Sequence, residues 1–332
     1  MDILKLAKEI NKEVGVKEGG LMSSNTPALN IERISTGSLG ADIVTGGGFA
    51  KYRITGIEGM ESCGKSTLTE MCIAEYQKTD PRPCVIIDTE HAFDRKYAEQ
   101  LGINIDQLLI VQPDSLEEAA KFFQTLVLRQ DIGLIVFDSI KAAMPQKMID
   151  GEVSDHNIGL QAKMVGVMIG SINTYLKKNR ITALVINQQR ENPGGFSGPT
   201  SPAGLALKFY ASIRIEMYRG SKSDDTLGPF NRGWLKTVKN KTAPPFQKCE
   251  YNMQYGIGID TSLEVLEHGV ACGVLYKKGH STYYDKTFTN DPDKSKDHLM
   301  LGKGKRDSRD FLNDNLELRK ELYNIILKAH LE

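Results

Sequence analysis

Through the middle of the chain, short apolar runs alternate with helix-length amphipathic segments, a rhythm that predicts strands and crossover helices in turn. The runs Arg53 to Ile57, Cys84 to Asp88, Leu108 to Val111, Gly133 to Asp138 and Thr182 to Ile186 are short and nearly continuous, as strands covered on both faces are. Helix patterns begin near Lys65, Asp94, Ser115 and Asp155, each long enough to carry the chain to a parallel neighbour. The fold class is therefore α/β with a mostly parallel central sheet. Beyond Ile186 the texture changes. Seven of the thirteen residues from Asn192 to Gly204 are Gly or Pro, which reads as a long mobile loop of the kind that carries function. The runs Ala211 to Tyr218, Trp234 to Lys239 and Cys249 to Tyr255 alternate apolar and polar positions and predict half-exposed antiparallel strands that extend the sheet. At the front, Ile3, Leu6, Ala7, Ile10 and Val14 have helical spacing and precede a Gly-rich link. From Leu263 a small tail reads as one helix, a basic turn-rich stretch and a helical pair ending at Leu331. Three parts follow: residues 1–30 as helix and linker, 31–258 as core, and 259–332 as a small tail domain.

Composition narrows the class without naming a function. With 332 residues, 40% hydrophobic and 25% charged, the chain has enough apolar mass for a substantial core. No apolar run approaches the roughly 18 residues of a membrane helix. The first residues alternate charge with Leu and Ile, unlike a signal peptide, so a cytoplasmic protein with no membrane partner is expected. Five scattered cysteines without a C-x-x-C pair argue against a disulfide framework and a zinc site. The 42 basic and 42 acidic residues cancel but are segregated. Arg190 to Lys248 holds ten Lys or Arg against four Asp or Glu, and Lys277 to Arg309 nine against five. Two basic blocks thus sit on an acidic body, as footprints for a polyanion or as solvated surface.

The sharpest chemical signal is Gly59-Met60-Glu61-Ser62-Cys63-Gly64-Lys65-Ser66, followed by Thr67, a complete G-x-x-x-x-G-K-[ST] between a predicted strand and a predicted helix. Backbone amides at such a helix start converge on phosphate oxygens, which Gly59 and Gly64 allow to come close. Lys65 reaches the β- and γ-phosphates, and Ser66 offers a hydroxyl to Mg²⁺. Asp138 closes a neighbouring strand and is the candidate second magnesium residue; alone it would read as an Asp capping a turn with Ser139. Hydrolysis also needs a carboxylate to orient or deprotonate water, and Glu90, Asp88 and Glu61 are the candidates.

These residues belong to a longer series. The chain resembles the bacterial RecA recombinase family from its first helix to about Lys328. The resemblance is carried by the phosphate loop, Ile87-Asp88-Thr89-Glu90-His91-Ala92-Phe93-Asp94, Asp138-Ser139, Asn187-Gln188, Ala206-Leu207-Lys208-Phe209-Tyr210-Ala211-Ser212 and Lys239-Asn240-Lys241. It implies a RecA-like P-loop NTPase core with ATP and Mg²⁺ as cofactors. It implies a helical homopolymer that forms on single-stranded DNA, takes in double-stranded DNA and exchanges strands. Glu90 would then activate water, Asp94 and Tyr97 would hold the adenine, and Gln188 would sense the γ-phosphate. Lys239 and Lys241, otherwise surface charge on one strand face, would reach into the neighbouring subunit's nucleotide site. Lys208 and Phe209 would belong to the subunit interface, with core packing as the alternative for Phe209. The DNA loops would span 150–161 and 190–203, bringing Asn157, Lys163, Arg190, Gly194, Gly195, Phe196 and Gly204 to the strand. Lys277, Lys278, Lys303, Lys305 and Arg306 of the tail would meet duplex phosphates. A ring-forming helicase with the same core and an ATP-binding mediator that exchanges no strands are the alternatives.

Some positions depart from the family pattern. Met60 and Cys63 replace smaller or stiffer loop residues, Lys163 stands where an Arg is expected, and Gly170 where another basic residue is usual. The second loop is shorter and poor in charge, with Ala203-Gly204 for a Gly-Gly pair. The acidic tail common in the family is not expected beyond the last helix, and weaker self-inhibition of duplex uptake is expected with it. Divergence of this kind suits a phage-encoded member as well as a bacterial one.

Overall fold

The computed structural model describes residues 2–15, 20–22, 24, 29–151, 159–189, 204–222, 230–254, 256–285 and 298–332. They form two units, Met1–Glu32 and Arg33–Glu332. The first contains α1 (Ile3–Val14), started by the Asp2 carboxylate, which accepts from Leu4 N at 3.0 Å, and ended by Gly15 at φ 75°. Its apolar residues Ile3, Leu4 and Val14 remain exposed.

The second unit begins with β1 (Arg33–Ile34) paired antiparallel to β2 (Phe49–Ala50), with α2 (Leu39–Thr45) between them. The nine-stranded sheet that follows comprises β3 (Ile54–Gly59), β4 (Cys84–Asp88), β5 (Leu108–Val111), β6 (Leu134–Asp138), β7 (Thr182–Gln188), β8 (Ile213–Lys222), β9 (Phe230–Asn240), β10 (Lys248–Gln254) and β11 (Gly258–Ile259). Its order is β11-β10-β9-β8-β3-β7-β6-β4-β5, parallel from β8 to β5 and antiparallel from β8 to β11. The five predicted central strands are all present. The run Ala211 to Tyr218 falls on β8, which pairs antiparallel with β9 as expected but lies parallel to β3 on its other side, because α8 (Gly204–Tyr210) precedes it and returns the chain to the same end of the sheet.

The other connections are α3 (Lys65–Gln77), α4 (Arg95–Gln100), α5 (Leu116–Val127), α6 (Gln146–Asp150) and α7 (Leu160–Asn179). The pattern starting near Asp155 thus becomes a helix at Leu160, and residues 152–158 lie outside those described. One face of the sheet buries Leu68, Cys72, Ile73 and Tyr76 of α3 against Ile57, Ile86, Val136 and Leu184. The other buries Phe123 of α5 and Val165, Ile169, Ile172 and Leu176 of α7 against Val85, Ile87, Phe137 and Val185. The alternation along β4, with Ile86 facing one way and Val85 and Ile87 the other, is what a two-sided core demands. Fully burying each aliphatic side chain contributes about 1.5–3 kcal/mol, so the helices are fixed by packing on the sheet more than by propensity. Glu58 on β3 is buried too, and it is matched by Arg214 on β8, whose guanidinium donates at 3.1 and 2.8 Å. On the antiparallel side, the rings of Tyr218 and Trp234 stack with centroids 3.6 Å apart, and the Lys248 ammonium lies 4.1 Å from the Trp234 ring.

After β11 come α9 (Thr261–Ala271), β12 (Leu275–Lys278), β13 (Ser281–Asp285), β14 (His298–Lys303), α10 (Gly304–Asp314) and α11 (Leu316–Leu331). The stretch read as basic and turn-rich holds a three-stranded antiparallel sheet, β12-β13-β14. Leu275, Tyr284 and Leu301 turn inward from it onto Val265, Leu312, Leu322 and Ile326, and this cluster also takes in Leu39 of α2. Glu264 of α9 fastens α2 from the same side, accepting from Ser38 Oγ at 2.7 Å and Leu39 N at 2.8 Å.

Burial pushes the Glu264 carboxyl from 4.5 up to about 8, and nearby Asp42 adds to the rise. Between those values the folded chain keeps a proton that the unfolded chain releases, so stability is full below the lower value and falls as pH rises through the window. The unfolding midpoint, followed from roughly pH 5 to 9, should therefore decline, and Glu264→Gln should flatten the decline; a wild-type midpoint that rises across this range would contradict the assignment.

Candidate nucleotide site

Strands β3, β4, β6 and β7 all end at the same edge of the sheet, where open parallel sheets place their ligands. The phosphate loop joins β3 to α3 there. At Gly59 a Cβ would lie 2.3 Å from the Met217 carbonyl oxygen, so only glycine lets the loop pass β8. Gly64 sits at φ 87° as the cap of α3, where a Cβ would lie 2.2 Å from Met253 Cε. No side chain caps α3, which leaves its first N–H groups for an anion. From β10, Tyr251 Oη braces the loop by donating to the Cys63 carbonyl at 2.5 Å.

Lys65 is only 6% exposed and donates to Met60 O at 2.6 Å. The Cys63 thiol donates to the same carbonyl at 3.0 Å, and burial holds its pKa up despite adjacent Lys65. Ser66 Oγ donates to Asp138 Oδ2 at 2.6 Å, bringing the two expected magnesium residues together. Burial, then the nearby Glu90 and Asp88 carboxylates, push Asp138 up to about 6 against the opposing Ser66 bond. A hydroxyl and a carboxylate side by side next to a phosphate loop are the hard oxygen donors that Mg²⁺ takes, so these residues fit that ion.

The three candidate bases are separated by their hydrogen bonds. Asp88 accepts from Glu90 N, Phe93 N and Gln112 Nε2 at 3.0–3.2 Å, so it shapes the turn after β4. Glu61 is exposed and pairs with Lys141 at 3.1 Å. Glu90 lines the main cavity, and its Oε1 accepts from Ser139 Oγ at 2.6 Å and from the Gln188 side-chain amide. The loop carrying it is fastened to the end of β6, with Thr89 N donating to Asp138 O at 2.8 Å and Ser139 N to Thr89 Oγ1 at 3.0 Å. Lys141 Nζ then donates to Gln188 Oε1 at 3.0 Å.

This cavity of about 1110 Å³ is bounded by the phosphate loop, Glu90, Tyr97, Lys141 and Gln188 on one side. Arg219, Asn231 and Gln254 from the antiparallel strands bound the other. Tyr97 is half-buried, and its hydroxyl shares a hydrogen bond with Thr67 at 3.0 Å. Asp94 is exposed and caps α4, accepting from Lys96 N at 2.8 Å and Tyr97 N at 3.2 Å, and it is not among the cavity-lining residues.

Lys239 and Lys241 also lie off this cavity. Lys239 caps the end of α8, donating to Lys208 O and, at 3.2 Å, to Phe209 O. Lys241 directly follows β9, which closes at Asn240, and its N–H donates to Ser212 O at 2.9 Å, beside the Ile213–Asn240 pair. Core packing of Phe209 is ruled out: it is 71% exposed, as is Leu205 on the same helix. Gly204 opens α8, and Lys163 lies exposed on the first turn of α7. Lys277 and Lys303 are exposed on the tail sheet, and Lys305 pairs with Glu267. Asn157, Arg190, Gly194, Gly195 and Phe196 fall outside the described residues.

Sequence reasoning missed Lys141, Arg219, Asn231 and Gln254. For Lys141 the one usable signal was a cation three residues after a strand-ending Asp. The other three sit on ordinary alternating strands and carry none.

A phosphate loop on a parallel sheet, with a buried lysine, a hydroxyl–carboxylate pair and a hydrogen-bonded glutamate beyond it, defines a P-loop ATPase. The RecA N-terminal domain matches residues 2–260. Protein RecA of Porphyromonas gingivalis is 36% identical over 99% of this chain and 94% of its own length. Protein RecA of Wolinella succinogenes is 38% identical over 97% and 89%, and that of Thioalkalivibrio sulfidiphilus 37% over 97% and 92%. The chain belongs to the RecA family, the ATP-binding, DNA-dependent ATPases of homologous recombination. No helix among the described residues is long and apolar enough to cross a membrane.

Proposed function

We propose that this chain polymerises on single-stranded DNA with ATP held where two protomers meet, admits duplex DNA and exchanges strands, all in the cytoplasm. The observation that carries the reading is the contact between Glu90 and Gln188. Gln188 closes β7 and leads directly into the Gly/Pro-rich segment 190–203, so one amide touches both the candidate base and the root of a candidate DNA loop. The γ-phosphate competes for that amide, and a change at the nucleotide is felt where the loop begins.

Within the site, the α3 amides and Lys65 hold the triphosphate, and Tyr97 offers a ring face to the base, with Asp94 close by on the same helix start. Ser66 and Asp138 hold Mg²⁺, which when bound neutralises phosphate charge. Glu90 takes a proton from water, while Ser139 and Gln188 fix the orientation of its carboxylate. Lys239 and Lys241 stand away from their own chain's phosphates, which suits delivery to the neighbour's site and makes assembly a condition of turnover. Exposed Phe209 and Leu205, with Lys208, form the adjoining face of the contact. The segments 150–161 and 190–203 meet the single strand, with Lys163 and Gly204 at their edges, and Lys277, Lys303 and Lys305 meet duplex phosphates.

ATP hydrolysis measured with and without single-stranded DNA, alongside electron microscopy, tests this. A rate raised by the oligonucleotide together with open filaments is expected. An unchanged rate removes the coupling, and closed rings that unwind duplex replace it with a helicase.

A further inference from the structure

Beside the main cavity lies a smaller one of about 60 Å³, lined by Ser66, Glu70, Asp88, Glu90 and Asp138 among others. Glu70 enters it from α3, four residues after Ser66 and therefore on the same face of the helix. It is 8% exposed, and its Oε2, closed off from solvent, has no hydrogen-bond partner. The charged groups acting most strongly on it are Asp138, Asp94 and Asp88, all of its own sign. Lys65, the nearest cation along the helix, is turned toward Met60 O. A buried carboxylate oxygen with no donor, among charges of its own sign, is costly wherever it occurs.

The feature missing around Glu70 is positive charge that arrives with water. No three His, Cys, Asp or Glu side chains among the described residues are placed to grip a bare ion. Mg²⁺ rarely needs such a cage, since it gives up its waters reluctantly and is held through one or two carboxylates. A site for one water takes about 10–15 Å³, so this cavity has room for several.

We propose that Glu70 is an outer-sphere anchor for a hydrated divalent cation, extending the Ser66–Asp138 pair into a three-group site that grips the ion's waters from the α3 side. The proposal rests on Ser66 and Asp138 holding the cation, and it adds a residue that positions the ion through water. Nothing in a phosphate loop calls for an acid at this helical position.

Mn²⁺ is titrated into the full chain with saturating ADP, and free Mn²⁺ is read by electron paramagnetic resonance. Glu70→Gln keeps the shape and removes the charge; it should weaken Mn²⁺ binding about tenfold, in the range that outer-sphere partners contribute. Its affinity for ADP in EDTA should stay at the wild-type value. In EDTA Glu70→Gln should also melt no lower than wild type, and added Mn²⁺ should raise the wild-type midpoint further than the variant's. Glu70→Leu should show the same loss and guards against a defect peculiar to glutamine. Equal Mn²⁺ affinity in wild type and both variants overturns the proposal and leaves Glu70 a neutral buried acid. Asp138→Asn separates the two readings: if it binds Mn²⁺ as wild type does, the Ser66–Asp138 assignment itself fails.

Discussion

Glu90→Ala is expected to bind ATP and assemble on DNA while losing hydrolysis by about 10²–10⁴-fold, the usual contribution of a positioned general base. Phosphate release at saturating ATP and single-stranded DNA measures the loss, and nucleotide affinity and filament images supply the control. The separation of effects follows from the hydrogen bonds. Glu90 supports no backbone turn, whereas Asp88 holds Glu90 N, Phe93 N and Gln112 and would bring the loop down with it. Removing the Glu90 side chain frees Ser139 Oγ and the Gln188 amide, the latter lining the main cavity. Wild-type turnover in this variant would move the base elsewhere, and Glu61, already engaged by Lys141, would be the next carboxylate to replace.

The second large effect is expected at Lys65. Lys65→Ala should abolish nucleotide-dependent filament assembly and reduce hydrolysis by at least about 10²–10³-fold, the scale set by removing a single preorganised donor from an anionic transition state. Two losses combine. The ammonium that meets the phosphates is gone, and Met60 O loses its 2.6 Å donor inside a loop whose shape depends on that bond. Lys65→Arg should not rescue it, because a planar guanidinium does not fit the pocket of a compact ammonium that is 6% exposed. Filament formation and ATP affinity measured together decide the matter, and an alanine variant that still assembles with ATP would show that assembly does not depend on this clasp.

Much of the molecule was legible in the residues because the parallel core obeys simple periodicity. Cys84 to Asp88 or Leu134 to Asp138, flanked by Gly and polar turns and buried on both faces, has no other stable place. Legibility failed where pairing partners decide the outcome. Ala211 to Tyr218 alternates like an antiparallel strand and pairs so with β9, yet its parallel direction beside β3 is set by α8, which the pattern did not display. The tail sheet was hidden because its strands are short and its inward residues, Leu275, Thr282 and Tyr284, are diluted by lysines and glycines.

In the site, the loop, Ser66 and Asp138 were readable from local spacing, whereas spacing left Glu90 level with Asp88 and Glu61 and only the family resemblance singled it out. The bonds from Ser139 and Gln188 to Glu90 were not, since they join the ends of three strands that only the fold makes neighbours.

The stacked pair on the antiparallel side has a practical corollary. Trp234 is the chain's only indole, clamped between a phenol ring and an ammonium on strands whose neighbouring positions Arg219 and Asn231 border the nucleotide cavity. Its ultraviolet emission therefore reports from a single address, and the protein carries its own optical gauge of that wall without any attached dye.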